Sequence, residues 1–158
     1  MEITNPVFVV LDVPLKGQSV FATCFIPAGT PLFQELPIIT VSDARAAAKI
    51  DSLNHAFLLL SPERKIVYLS LCNSQPVPDA LISEEDIAVL GIWKTNTFVL
   101  DKEGIINGIF HMASRLNHSC HGGENARWEW CKEEGLMKFW TDQDIEVGNF
   151  SGSIRTDF

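Results

Sequence analysis

The spacing of apolar and polar positions changes character along the chain. Up to residue 41, apolar residues come in short β-rich runs separated by turn formers. Val7-Phe8-Val9-Val10-Leu11 is stopped by Pro14, Ser19-Val20-Phe21-Ala22-Thr23 follows a Lys16-Gly17-Gln18 turn, and Pro27-Ala28-Gly29-Thr30 turns the chain into Leu32-Phe33. Ile38-Ile39-Thr40-Val41 closes this stretch. Ser42 then offers an N-cap to a helix reaching about Leu60. Ala46, Ile50, Leu53, Phe57 and Leu60 recur at helical spacing, and Pro62 is its stop. A turn-rich connector covers 72–81. Ser83 followed by Glu84-Glu85-Asp86 predicts a second helix start, because acidic side chains favour the positive end of a helix dipole. Ile87, Val89, Leu90 and Trp93 give that helix a face to bury. Later, Arg127-Trp128-Glu129-Trp130-Cys131 alternates as a strand does, Lys132-Glu133-Glu134-Gly135 turns, and Leu136-Met137-Lys138-Phe139-Trp140 returns as a hairpin. No internal repeat is read. The pattern predicts a mainly β chain with a helical insert (β+α).

Composition narrows the classes. The 158 residues are 46% hydrophobic and 20% charged, which excludes a solvated disordered tail and suits a single domain with its own core. Twelve Lys+Arg against 20 Asp+Glu leave a net charge of -8, and the basic residues are scattered with one adjacent pair, Arg64-Lys65. That argues against direct nucleic-acid binding, which needs a basic stripe, and suits either a basic partner or simple solubility. No apolar run approaches the roughly 20 residues that span a bilayer. Met1-Glu2-Ile3-Thr4 lacks the basic and apolar regions of a secretory signal. Cys24, Cys72, Cys120 and Cys131 form no CxxC pair and read as reduced thiols, so an intracellular setting, nucleus or cytoplasm, is expected.

Candidate chemistry is concentrated in a few places. The Lys16-Gly17-Gln18-Ser19 turn lets the backbone approach a ligand, although an ordinary hairpin turn has the same signature. Ser114-Arg115-Leu116-Asn117-His118-Ser119-Cys120 gathers donors and acceptors between apolar flanks, as a capped turn or a small-molecule site does. His118, Cys120, His121 and Cys131 offer zinc ligands, but their spacing matches no common finger or ribbon, and no metal is expected. Phe21, Phe33, Trp128, Trp130, Phe139 and Trp140 either fill a core or line a slot for an alkyl-ammonium group. No Ser-His-Asp order, P-loop or HExxH is present.

In chain order these segments resemble the SET domain of protein-lysine methyltransferases, in particular fungal-type and MYND-associated SET proteins. The likeness rests on Lys16–Thr23, Ile26-Pro27-Ala28-Gly29-Thr30, Thr95-Asn96-Thr97-Phe98, the Ser114–Cys120 stretch close to S-R-x-N-H-S-C, and the Asp144-Ile145-Glu146-Val147-Gly148 turn. It implies one SET-type β-clip domain of small sheets over 1–158, with strand-rich 1–41, a helical insert 42–100, cofactor-motif and C-terminal strands 101–148, and a divergent tail 149–158. It further implies S-adenosylmethionine as cofactor and a Lys-containing protein or peptide as substrate. Cofactor contacts would come from Lys16, Gly17, Asn96, Asn117 and His118. No catalytic residue is assigned.

The departures bear on activity. Ser19 stands at the second glycine of the usual G-x-G, and His121-Gly122-Gly123-Glu124-Asn125 replaces x-P-N with a longer loop. After Gly148, where the family carries G-E-E-x-x-x-x-Y, this chain has Asn149, Phe150 and, at the tyrosine position, Arg155. The only tyrosine is Tyr68, in the helical insert. The expected C-terminal knot-like segment is therefore incomplete and methyl transfer is expected to be weak or lost; the alternative is a catalytically inactive SET-fold interaction module.

Overall fold

The first two apolar runs form a hairpin. Strand β1 (Phe8–Val13) pairs antiparallel with β2 (Gly17–Ala22), placing Val10 opposite Val20 and Val13 opposite Gly17. The structure is a computed structural model that describes residues 7–14, 17–42, 46–74, 84–116, 125–148 and 154–155. The remaining elements are β3 (Pro31–Glu35), β4 (Ile39–Ser42), α1 (Ala46–Leu58), α2 (Pro62–Leu69), α3 (Glu84–Asn96), β5 (Phe98–Val99), β6 (Ile106–Ile109), β7 (Ala126–Cys131), β8 (Leu136–Thr141) and β9 (Ile154–Arg155). They fall into two compact units, one of residues 1–36 with 115–158 and one of 37–114.

In the first unit the β1–β2 hairpin accompanies a sheet of order β3-β8-β7-β9. The predicted hairpin is β7–β8, with Trp128 opposite Phe139 and Arg127 opposite Trp140. Its alternation sorts the side chains. Ala126, Trp128, Met137, Phe139 and Thr141 are buried, while Arg127, Glu129, Lys138 and Trp140 share the other face. Met137 and Phe139 are at most 1% exposed, and each contributes roughly 1.5–3 kcal/mol by leaving water. Phe33 stacks on Phe139 with ring centroids 4.5 Å apart, and Phe8 meets Phe33 edge-on at 5.8 Å. Pro31 opens the edge strand, where its missing N–H costs no ladder bond, and the register slips between Pro31 and Phe33. The divergent tail also enters this sheet. Ile154 and Arg155 pair in parallel with Ala126 and Arg127, so the first residues of β7 do not end as an open edge.

A structural repeat emerges that sequence similarity does not show. β2 and β8 each lead, four residues on, into an Ile-x-x-Gly turn: Ile26-Pro27-Ala28-Gly29 and Ile145-Glu146-Val147-Gly148. The two turns clasp each other reciprocally. Ile26 N–H donates to Ile145 O at 2.9 Å and Ile145 N–H to Ile26 O at 2.8 Å. Gly29 N–H donates to Thr141 O at 2.8 Å and Gly148 N–H to Ala22 O at 3.0 Å, each reaching the last carbonyl of the opposite strand. Both glycines sit at φ 76°, a left-handed backbone that a side chain would strain. Only an isoleucine and a glycine are shared, so the expectation of no repeat holds for the letters and fails for the backbone.

Side chains reinforce one of the two turns. Thr141, fully buried, donates from Oγ1 to Pro27 O at 2.6 Å and accepts from Thr30 N–H at 2.9 Å, while Asp144 Oδ1 accepts from Ala28 N–H at 2.8 Å. Thr141→Val keeps the shape and removes both hydroxyl bonds. It is expected to lower unfolding stability by about 1–3 kcal/mol in urea denaturation, with Thr141→Ser recovering most of the loss.

The second unit holds α1, α2, α3 and a sheet of order β4-β6-β5, with Ile39 opposite Ile109 and Phe98 opposite Gly108. Leu53 and Phe57 of α1 are buried as their spacing predicts; the side chains of Ala46 and Ile50 lie outside the described part. Pro62 does more than stop a helix. It occupies the first turn of α2, behind Ser61, whose side chain accepts from Arg64 N–H. A proline after an apolar run reads as a stop, and a Ser-Pro-Glu start was the competing signal. The β5–β6 pair escaped the sequence because two- and four-residue strands are too short to show a period. Val89, Ile92 and Trp93 of α3 join Tyr68, Leu53 and Ile109 in one core. Among the described residues no helix is long and apolar enough to cross a membrane.

Candidate functional site

In the first unit the residue after Gly17 meets Arg115, two positions before Asn117. Gly17 opens β2 opposite Val13, and Gln18 beside it is exposed. Arg115, the last residue of a 3-10 turn (Ala113–Arg115), donates from Nε to Gln18 Oε1 at 2.5 Å, spanning 97 positions of sequence. Burial holds the Arg115 guanidinium below its ordinary value, and the nearby Glu35 carboxylate acts in the opposite sense. The start of the Asn-His motif is thereby moored to the glycine turn. Ser19 is 1% exposed and Val20 beside it equally so. Successive residues of a strand face opposite ways, so both faces of β2 are covered here, and the serine side chain is housed inside the unit.

Asn125 follows the motif in sequence, just before β7. Its Oδ1 is buried and has no hydrogen-bond partner among the described residues, while its main-chain carbonyl accepts from Asp142 N–H at 2.9 Å. A buried acceptor without a donor costs about 1–3 kcal/mol, so the position favours a bound donor group. Neither Arg115 nor Asn125 was singled out as a site residue from the sequence. The signal was present, since both flank the Asn117-His118 stretch, but linear order does not show which neighbour points inward.

Of the residues the sequence proposed, Lys16, Asn117 and His118 lie outside the described residues, as do Cys120 and His121 of the weighed zinc set. Cys131 is half-buried. Asn96 belongs to the second unit, at the end of α3 and 8% exposed, and both its amide hydrogens are engaged, with Cys72 O at 2.7 Å and Ile92 O at 2.8 Å. Its neighbours behave alike: Thr95 Oγ1 donates to Gly91 O at 2.8 Å and Thr97 Oγ1 to Trp93 O at 2.5 Å. Three consecutive polar side chains thus bond back to the carbonyls four residues earlier, adding a second donor at the helix end. Asn96 has only its Oδ1 left for another partner.

Tyr68 is placed with equal definition. It is fully buried in the core of the second unit, its hydroxyl donates to Val89 O at 2.9 Å, and burial pushes its pKa up. The candidate aromatics divide: Phe33, Trp128 and Phe139 pack inside, whereas Trp140 lies on the outer face of the sheet with the Arg127 guanidinium 5.2 Å above its ring.

Strand order, the clasped turns and the moored motif together define a β-rich fold of the SET type. The family model of the SET domain matches residues 17–149. The chain belongs to the SET-domain family. It is similar to the histone-lysine N-methyltransferase set5 of Schizosaccharomyces pombe, 27% identical over 143 residues that make up 90% of this chain and 40% of that protein. The chain thus spans about 40% of the length of that curated relative. Among solved structures, the SET domain of LSMT bound to lysine and AdoHcy matches at a TM-score of 0.53 and 13% identity, over 99% of this chain and 50% of that one. Rubisco LSMT bound to AdoMet matches at 0.52 and 13%, over 99% and 49%. At that identity the two structures speak for the fold.

Proposed function

We propose that this chain is the S-adenosylmethionine-binding SET domain of a protein of the lysine-methyltransferase class, with methyl transfer impaired at its C-terminal end. The observation that carries the proposal is the Arg115–Gln18 hydrogen bond, between the residue after Gly17 and the residue two before Asn117. Because the family model runs from residue 17 to 149, both units are read as parts of one domain.

The residues fit such a ligand. Gly17 carries no side chain at the strand opening, and Asn125 Oδ1 is a buried acceptor without a partner among the described residues, suited to an ammonium or amino donor. Lys16 and Gly17 would hold the methionine part, with Asn117 and His118 making direct contacts and Asn96 contributing its Oδ1. The chemistry that the cofactor supplies when bound is a methyl group on a sulfonium. The chain's own task is to present a neutral lysine amine in line with that group and to exclude water. A lysine-bearing protein segment is the substrate, drawn toward a surface of net charge -8, and the nucleus or cytoplasm is the compartment. Support for this reading comes from the relative's name as a histone-lysine N-methyltransferase and the lysine bound in the LSMT structure. Impairment follows from Arg155 at the tyrosine position and from Tyr68 being buried with its hydroxyl engaged.

Calorimetric titration with S-adenosylmethionine is the test. Saturable binding is expected, accompanied by a rise in Tm, because a ligand that binds only the folded state stabilises it. Replacing Asn117 and His118 together by alanine is expected to weaken binding at least tenfold, since each lost hydrogen bond in a desolvated site is worth about 1 kcal/mol or more. A folded sample that shows no heat and no shift in Tm would remove the proposal.

A further inference from the structure

The outer face of the β3-β8-β7 sheet carries a cleft of about 530 Å³, lined in part by Gly29, Pro31, Gln34, Arg127, Lys138 and Trp140. It lies within the first unit, and of the cofactor contacts proposed above the two described ones, Gly17 and Asn96, do not line it. Its walls are largely apolar and flat. Its rim bears two cations on a protein in which acids outnumber bases 20 to 12.

The two cations differ in what they have left to offer. Lys138 Nζ is held by Glu134 Oε2 at 2.8 Å, a bond that raises its pKa, and Glu129 stands directly across the ladder. Arg127 is fixed by stacking on Trp140, its cross-strand partner, with the guanidinium carbon 5.2 Å from the ring centroid. Its sole ion pair among the described residues is Nε to Asp142 Oδ1 at 3.4 Å, and Nε makes no hydrogen bond. The Nη groups make none with the described residues either. A guanidinium held over an aromatic ring gives up less conformational freedom when a ligand arrives. Its fork, without a hydrogen-bond partner among the described residues, matches a carboxylate in a bidentate way, which an ammonium does not.

We propose that this cleft is a docking site for a peptide segment bearing one carboxylate next to an apolar or aromatic residue, the carboxylate taken by the Arg127 fork and the apolar side chain laid against Trp140 and Pro31. Charge complementarity selects the occupant. Arg127 attracts one carboxylate at contact distance, while the acidic remainder of the surface disfavours a run of acids, since charges within about 8–10 Å are incompletely screened at ordinary salt. An apolar neighbour supplies the burial that a lone surface ion pair, worth at most about 1 kcal/mol, does not.

The experiment selects on the full chain from a library of random eight-residue peptides displayed on phage, then measures the synthesised winners by calorimetry at low and high salt. Winners carrying a single Asp or Glu beside Phe, Tyr, Trp or Leu are expected. Arg127→Gln should weaken them about threefold to fivefold while S-adenosylmethionine binding stays unchanged. The same loss is expected on the intact chain when the peptide's Asp is changed to Asn, which requires no change to the protein. No enrichment, winners without a carboxylate, or equal affinity for the Asn peptide would each overturn the proposal.

Discussion

Replacing Asn149 and Phe150 by glutamate and Arg155 by tyrosine is expected to raise methyl transfer to a lysine peptide at least a hundredfold over the parent chain. The argument starts from what an in-line displacement needs. The amine must be neutral and aligned with the methyl–sulfur bond, and correct placement alone supplies about 7 kcal/mol or more of a barrier in favourable cases. A preorganised hydroxyl aimed at the reacting amine typically accounts for a further 2.7–4 kcal/mol, or about 10²–10³ in rate, when such a group is removed from an active site. In the SET resemblance that hydroxyl comes from the tyrosine of G-E-E-x-x-x-x-Y, counted from the glycine that is Gly148 here. The position is a defined one, because Arg155 pairs with Arg127 in the β7–β9 ladder, so a tyrosine backbone at 155 is anchored. Single-turnover transfer from labelled S-adenosylmethionine checks this, alongside calorimetry showing cofactor affinity within about threefold of the parent, a difference of less than 1 kcal/mol. Equal rates in both chains, with binding intact, would show that the tail is not the defect.

Removing Tyr68 has the largest expected effect on stability. The ring is fully buried, meets Phe57 edge-on with centroids 5.3 Å apart, and bonds the carbonyl of Val89 on a different helix. Tyr68→Ala is expected to cost about 3–5 kcal/mol, from lost transfer free energy and the cavity left behind. Tyr68→Phe keeps the ring and loses one hydrogen bond, about 1 kcal/mol. The hydroxyl also links stability to pH. Burial raises its pKa in the folded state, so the folded chain keeps the proton where the unfolded chain releases it. This contribution is complete below the unfolded tyrosine pKa of about 10 and is lost as pH rises above it. Urea titrations at pH 8 and pH 10.5 should show a steeper alkaline loss for the parent than for Tyr68→Phe. Equal losses would mean that another group governs the alkaline limb.

Much of the architecture was legible. The β7–β8 hairpin announces itself because one face is buried and the other wet, so Trp128, Met137 and Phe139 alternate with Arg127, Lys138 and Trp140. The helix around Leu53 and Phe57 shows for the same reason at another period. Short strands such as β5 and β9 were not legible, since two residues carry no periodicity and exist only because a partner strand takes their hydrogen bonds. The clasp of the Ile26 and Ile145 turns was equally hidden: it is made of main-chain groups, which every sequence supplies.

The sequence by itself determined the family, through an ordered series of short motifs, together with the acidic surface and the missing tyrosine. Those properties belong to residue identities and their order. Tertiary structure decided which of these residues have their polar atoms already used. Asn96 and Tyr68 are equally suggestive as letters, yet the first spends its amide hydrogens on Cys72 and Ile92 and the second its hydroxyl on Val89. Arg115 and Arg127 are both isolated arginines in the sequence; the first bonds Gln18, and the second lies over Trp140 with its Nη groups unbonded among the described residues. The physical reason is that hydrogen bonding and desolvation depend on distances of about 3 Å between groups that the chain brings together from far apart in sequence.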